Sequence, residues 1–245
     1  MQFLLSYLFI APAVIGCTIL MGIFSLAASI FGAHEDRLHR IAQTWSRILL
    51  KLSFIHTEVV GLEKLDTNRN YVLVANHASY MDTPVVVANI PLQFRFFAKL
   101  GLFSIPLLGT HLGRSGHFPV DRGNPRASLK SMSDGAKAIA ERHVSVLVFP
   151  EGGRSLDHLQ EFKEGAAYIA IKAGVPAVPV AIVGTREILR MHTSRVRPGP
   201  AKLIIGDPID TSRMTIKDRD SLTATLHAKI AEALGERIVT AQSAC

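Results

Sequence analysis

Residues 71–84 read YVLVANHASYMDTP. The first five form an apolar run that predicts a β-strand. Pro84 suits the first turn of a helix, so the polar residues between them must form a turn. A strand that ends in a polar turn and passes into a helix is the repeating unit of α/β folds. Ligands in such folds collect just past the carboxyl ends of the strands.

Working outward, the same alternation continues along the chain. Strands are predicted at residues 58–60, 71–75, 94–98, 118–120, 145–149, 177–183 and 202–205, each short, apolar or β-branched and bounded by Gly, Pro or Asn. Helices are predicted at 83–88, 125–142, 163–173 and 216–235. The unbroken runs VSVLVF and VPVAIV suit a sheet covered on both faces. The fold class expected is α/β: a mixed, mostly parallel sheet flanked by helices. Residues 190–200 (RMHTSRVRPGP) are polar, basic and turn-rich, and predict a surface loop.

The amino-terminal stretch is different. No Asp, Glu, Lys or Arg precedes Glu35, and residues 13–32 are almost wholly apolar. About 20 such residues cross a bilayer core as a helix, whereas all 34 would make one of about 50 Å. Pro12 offers a break, so a single crossing and a hairpin held in one leaflet both fit. A signal peptide fits less well, because no positive region precedes the apolar run. Arg37, Arg40, Arg47 and Lys51 follow it and put that flank on the cytoplasmic side. Residues 35–52 have Leu38, Ile41, Trp45, Ile48, Leu49 and Leu52 at helical spacing with cations opposite. This is either a basic helix at the membrane interface or a helix packed on the core. The division expected is a membrane anchor at 1–34, a basic amphipathic interfacial helix at 35–55 and a catalytic domain at 56–245. The location expected is the inner cell membrane, with the catalytic domain on the cytoplasmic side.

Composition narrows the function classes. The 245 residues are 48% hydrophobic and only 19% charged, with mean hydropathy +0.26. Disorder, which needs low hydrophobicity and high charge, is excluded. The two cysteines, Cys17 and Cys245, make no disulfide framework and suit a reducing compartment. The net charge of +7 suits an anionic membrane or a phosphorylated substrate. The cations are scattered and no zinc-finger or RNA-recognition pattern occurs, so nucleic acid is not an expected partner. The chain has no G-x-S-x-G, no phosphate-binding G-x-x-x-x-G-K-[ST], no G-x-G-x-x-G and no zinc-ligand spacing.

Three segments carry chemistry. In Asn76–Asp82 the histidine and aspartate stand five apart, about 140° from each other on a regular helix, so they meet only if the chain turns. A carboxylate bonded to an imidazole fixes its tautomer and lets it take a proton from a hydroxyl. Alternatively, Asp82 caps a helix and His77 is a satisfied loop residue. In Phe149-Pro150-Glu151-Gly152-Gly153-Arg154-Ser155 the glycines allow close approach to a ligand, Arg154 can clamp a phosphate and Glu151 can accept from a hydroxyl. A tight turn with a surface ion pair is the alternative. In Gly116–Arg122 a strand ends in Asp121-Arg122, which read alone is a structural pair. Lys99 adds a cation at another strand end. Their convergence on one site is what would bind an anion.

N-H-x-x-x-x-D, then G-x-x-x-x-D-R, then F-P-E-G-x-R-S, in this order, resembles the glycerolipid acyltransferase family, most nearly its bacterial 1-acylglycerol-3-phosphate branch. Ala98-Lys99, Ile105-Pro106, Gly109, Phe162-Lys163, Gly165-Ala166 and the proline strand VPAVPVAIV extend the likeness over residues 58–209. The resemblance implies a glycerol-3-phosphate acyltransferase-like fold and direct transfer of an acyl group, with no cofactor and no metal. The donor would be acyl-CoA or acyl-carrier protein, and the acceptor the hydroxyl of lysophosphatidic acid. His77 would be the general base and Asp82 its orienter. Arg122, Glu151, Gly152 and Arg154, with Lys99, would bind the glycerol phosphate, and the proline strand is linked to the acyl donor. Gly153 stands where the family most often has Thr, which leaves other lysolipids open as acceptors, such as a lyso-ornithine lipid or lysophosphatidylglycerol. A non-enzymatic lipid-binding protein of the same fold is the remaining alternative.

Overall fold

The computed structural model describes residues 6–235. A wider π-helical turn over Ser6–Ile10 runs into α1 (Ala11–Ile30). Pro12 lies in the first turn of α1, where its missing N–H costs nothing, so it opens the α-helix rather than interrupting the segment. Ser6–Ile30 is long and apolar enough to cross a membrane and is largely unburied by the rest of the chain. After a turn at 31–34 the chain reverses into α2 (Glu35–Leu52). Trp45 Nε1–H donates to Thr18 Oγ1 across this helical hairpin (3.2 Å).

Seven strands follow: β1 (Ile55–Val60), β2 (Val72–Ala75), β3 (Phe94–Lys99), β4 (Phe118–Val120), β5 (Ser145–Val148), β6 (Ala177–Val183) and β7 (Gly199–Ile205). They form one sheet in the order β1-β7-β6-β2-β5-β3-β4. All neighbours are parallel except β6 and β7. The expected mixed, mostly parallel α/β sheet is therefore the observed one. Helices α3 (Asp82–Asn89), α4 (Leu108–Arg114), α5 (Pro125–Arg142), α6 (Gly165–Ala173), α7 (Thr185–Ile188) and α8 (Arg219–Leu234) complete the fold.

The alternation of side chains along β2 divides the core. Leu73 and Ala75 pack with Val85, Val86, Leu49 and Leu50 from α3 and α2, and Val72 and Val74 pack with Ile139, Ile169 and Leu226 from α5, α6 and α8. β2 is thus buried on both faces, as its apolar composition requires. Helix α2 is part of this packing: its Leu38, Leu49 and Leu50 are buried, while Arg37, Arg40, Arg47 and Lys51 stay exposed.

Several boundaries differ from expectation. β1 begins at Ile55 and β7 at Gly199, so the last two residues of the expected 190–200 loop are in a strand. Pro200 is tolerated because the ladder with β6 starts only at Lys202. The basic helix stops at Leu52. Helix α4 had no sequence signal, since two of its seven residues are glycine and it is too short for a period to register. Residues 216–218 are a separate 3₁₀ turn ahead of α8, closed by a reciprocal Thr215–Asp218 capping box. Cys245 lies outside the described residues.

Candidate functional site

The site is built at the carboxyl ends of β2, β5 and β6, which lie side by side. Asn76 follows β2 and locks it to β6: its Nδ2 donates to Ile182 O (3.0 Å) and its Oδ1 accepts from Ile182 N–H (2.7 Å). The side chain replaces two rungs of the backbone ladder and lets the chain leave the sheet at His77.

His77 and Asp82 then meet, because residues 77–81 turn before α3 begins at Asp82. His77 Nδ1 lies 2.8 Å from Asp82 Oδ2. The same oxygen accepts the backbone N–H groups of Ala78 (2.7 Å) and Ser79 (2.8 Å). Asp82 is wholly buried, and a carboxylate that accepts backbone donors requires the imidazole proton on Nδ1. Nε2 is left with its lone pair, the form a proton acceptor needs. The Phe149 ring stacks on the imidazole at 4.0 Å and 15°. Burial draws the His77 pKa below its ordinary 6.5. The Asp82 hydrogen bond and charge oppose this, and the positive charges of Arg154 and Arg122 add to the lowering. The imidazole is therefore neutral at physiological pH and ready to accept a proton.

The loop after β5 is tied to the His77 turn through Glu151. Its Oε1 accepts His77 N–H (2.5 Å) and its Oε2 accepts Gln160 N–H (3.0 Å). Ser155 N–H donates to His77 O (2.8 Å). Burial pushes the Glu151 carboxyl upward, and the N–H groups of Gln160 and His77 hold it partly down. Both oxygens are thus engaged by backbone, so Glu151 braces the two loops. Gly152, at φ +73°, closes the turn with N–H to Phe149 O (3.1 Å), and a side chain there would meet the Lys163 ammonium. Gly153 faces open space.

The cations are distributed unequally. Arg154 sits over the Tyr80 ring, Cζ 3.9 Å from its centroid, and burial lowers its pKa. Arg122 follows β4, three strands and about 15 Å from β2, yet its charge acts on both His77 and Arg154. Lys99 is exposed at the end of β3, level with Val120. It is two strands from the His77 turn, about 10 Å by strand spacing, and the charges acting on His77 are those of Asp82, Arg154 and Arg122. Among the described residues no group of three or more His, Cys, Asp or Glu side chains could hold a metal ion.

Sequence reasoning missed Thr185, Tyr80 and Phe149. Thr185 Oγ1 donates to Asp82 Oδ1 at 2.5 Å across 103 residues of sequence. The only signal was its place just past the end of β6, the same strand-end rule that picked out the other loops.

The family described as Acyltransferase matches residues 56–183, more than half of the chain. The chain belongs to the acyltransferase family. The 1-acyl-sn-glycerol-3-phosphate acyltransferase of Limnanthes alba is 33% identical to this acyltransferase-family chain over 181 residues, covering 74% of the chain and 64% of that protein. The chloroplastic 1-acyl-sn-glycerol-3-phosphate acyltransferase BAT2 of Brassica napus is also 33% identical, covering 84% and 58% respectively. The chain spans about three-fifths of the length of these relatives. In fold, it matches the crystal structure of PlsC, the 1-acyl-sn-glycerophosphate (LPA) acyltransferase of Thermotoga maritima. The TM-score is 0.78 over 98% of this chain and all of that one, at 23% identity.

Proposed function

We propose that this protein transfers a fatty acyl group from acyl-CoA or acyl-carrier protein to the sn-2 hydroxyl of lysophosphatidic acid, giving phosphatidic acid for phospholipid synthesis. The observation that carries the reading is the buried His77–Asp82 pair with a neutral imidazole, set in the field of Arg154 and Arg122. His77 Nε2 takes the hydroxyl proton as the oxygen attacks the thioester carbonyl. The tetrahedral adduct then expels the thiolate, which receives that proton from the imidazolium. No acyl-enzyme forms. Asp82 holds the imidazole orientation and balances its transient charge. Arg154 and Arg122 bind the phosphate, with Lys99 at the outer edge and the Gly152 turn letting backbone approach it. Glu151 serves this site by bracing the loops.

The anchor at residues 1–34 and the basic helix at 35–55 hold the catalytic domain, 56–245, against the cytoplasmic face of the inner membrane. The long apolar helix points to membrane association, and the exposed cations of α2 suit anionic headgroups. One observation favours a second acceptor class: a Cβ at Gly153 would meet nothing within 4 Å, so the residue before Arg154 leaves unfilled the space that a Thr would take up.

The test is thiol release by purified membranes carrying the protein, supplied with oleoyl-CoA and lysophosphatidic acid, against His77→Ala. Release that needs both acceptor and His77 is the expected result. Full release by His77→Ala would overturn the general-base reading. Release only with a lysolipid lacking a terminal phosphomonoester would move the acceptor to the second class.

A further inference from the structure

The Asp82 carboxylate is held on every side, and one of its partners comes from a distant part of the chain. Oδ2 is saturated by the imidazole and two backbone N–H groups of its own turn. Oδ1 faces away from that turn and receives the Thr185 hydroxyl at 2.5 Å. Thr185 is itself buried, and it is delivered by the proline strand β6. Gly184, at φ +85°, makes the bend that turns the chain out of β6, and a side chain there would collide with Pro200 O. Asn76 fixes the same strand end from the other direction through Ile182. The end of β6 and the turn after β2 are therefore one rigid assembly, and Thr185 is the residue past β6 that bonds Asp82 directly.

We propose that Thr185 is a positioning residue for the His77–Asp82 pair. Its hydroxyl fixes the rotation of the Asp82 carboxylate, so that Oδ2 stays in line with His77 Nδ1. The inference rests on the acyl-transfer reading of that pair, and it gives the proline strand a task at the proton-transfer centre apart from any role with the acyl donor. A carboxylate deprived of its Oδ1 partner in a buried site can rotate or recruit water, and either loosens the imidazole. A misplacement of about 1 Å at such a centre costs on the order of 100-fold in rate. The other charged groups acting on this centre are Glu151 and Arg154 from the loop after β5 and Arg122 from beyond β4. All of them remain in the variants used below.

Thr185→Val removes the hydroxyl and keeps the shape, whereas Thr185→Ser keeps the hydroxyl and removes a methyl group. The expected result is a fall in kcat of about 10- to 100-fold for Thr185→Val with the acceptor KM little changed, and near-native kcat for Thr185→Ser. The acidic limb of kcat/KM should move in the valine variant alone. Equal kcat loss in both variants would mean a packing role and overturn the proposal, as would native kcat in Thr185→Val. A second readout is independent of turnover. In ¹⁵N-histidine-labelled protein, His77 is assigned by its loss in His77→Ala, and its Nδ1 proton and titration are followed by NMR. Thr185→Val should shift both and Thr185→Ser neither. An unmoved His77 signal in Thr185→Val overturns the proposal whatever the substrate proves to be, while loss of His77-dependent transfer from the unaltered protein counts only against the acyl-transfer reading.

Discussion

The base role proposed for His77 needs an imidazole that is neutral and aimed, and both properties come from its contacts. Burial and the two arginines favour the neutral imidazole, and Asp82 fixes the Nδ1 proton. Since the His77 pKa is lowered, the midpoint of its protonation lies below pH 6.5. The acid limb of kcat/KM should therefore have its midpoint under 6.5, as a pH–rate profile would show. An acid limb above 6.5 would contradict the burial argument. Arg154 works differently. Charge-assisted hydrogen bonds are worth about 1.5–3 kcal/mol, so Arg154→Ala should raise the acceptor KM by roughly 10- to 100-fold and leave the acyl-thioester donor KM alone. Tyr80 contributes through the arginine it supports. Tyr80→Ala should cost roughly two- to fivefold in acceptor affinity, the value of an exposed cation–π contact, and Tyr80→Phe should restore it. If Tyr80→Phe is as weak as Tyr80→Ala, the ring face is not what holds Arg154. At Gly153 a Cβ meets nothing within 4 Å, so Gly153→Thr should fold normally, and an acceptor panel on that variant would read out headgroup selection directly.

The elements meet through side chains that stand in for backbone. Asn76 bridges β2 and β6 with two hydrogen bonds to Ile182 in a fully buried setting. Asn76→Ala strands the Ile182 N–H and C=O away from water, at about 1–3 kcal/mol for each unsatisfied group. A lowered melting temperature, with activity lost in step as the His77 turn loosens, is the expected outcome. An unchanged melt would mean that water replaces the amide. This clamp also marks the limit of what the sequence could reveal. The strand YVLVA, the turn and the His–Asp spacing are local, so their composition and order were readable, and the apolar runs of β5 and β6 announced strands covered on both faces. β1 and β7 were read too short, because their burial alternates and their first halves carry polar, Gly or Pro residues: His56 and Thr57 in β1, Gly199 and Pro200 in β7. Contacts across the chain left no mark in composition: Thr185 meets Asp82, Glu151 meets the His77 turn and Tyr80 lies under Arg154 only because the sheet order brings β2, β5 and β6 together. The bracing role of Glu151 was hidden for the same reason. Its two backbone partners are 74 and 9 residues away, and only the first makes it a brace.

Across the whole molecule, the apolar hairpin joins the α/β core through an interior that contains ionisable groups held uncharged. His39 on α2 lies edge-on to Phe94, 4.7 Å away. His111 on α4 is 2.7 Å from Ser25 of α1, and His117 accepts the Phe96 N–H at 2.9 Å, which it can do only as a neutral imidazole. Between them the buried Arg95 reaches Asp36 at 2.9 Å. Burial, with the Arg95 charge next, lowers the His39 pKa to about 4. Burial also lowers His111, and it holds His117 well below 6.5. In the unfolded chain these histidines take up protons near 6.5, whereas in the folded chain they resist until a lower pH. The unfolded state therefore binds more protons below 6.5, and stability falls as pH drops through that window. The loss from His39 stops growing near pH 4, where its folded form protonates too. A displacement from 6.5 to about 4 corresponds to roughly 3 kcal/mol for His39 alone. Denaturant unfolding in detergent should therefore show a midpoint that is steady above pH 7 and declines between 6.5 and 4. His39→Phe should flatten part of that decline, whatever it does to stability at pH 7. If the slope between 6.5 and 4 is the same in His39→Phe as in the unaltered chain, the acid sensitivity belongs to the surface carboxylates and not to this joint between hairpin and core.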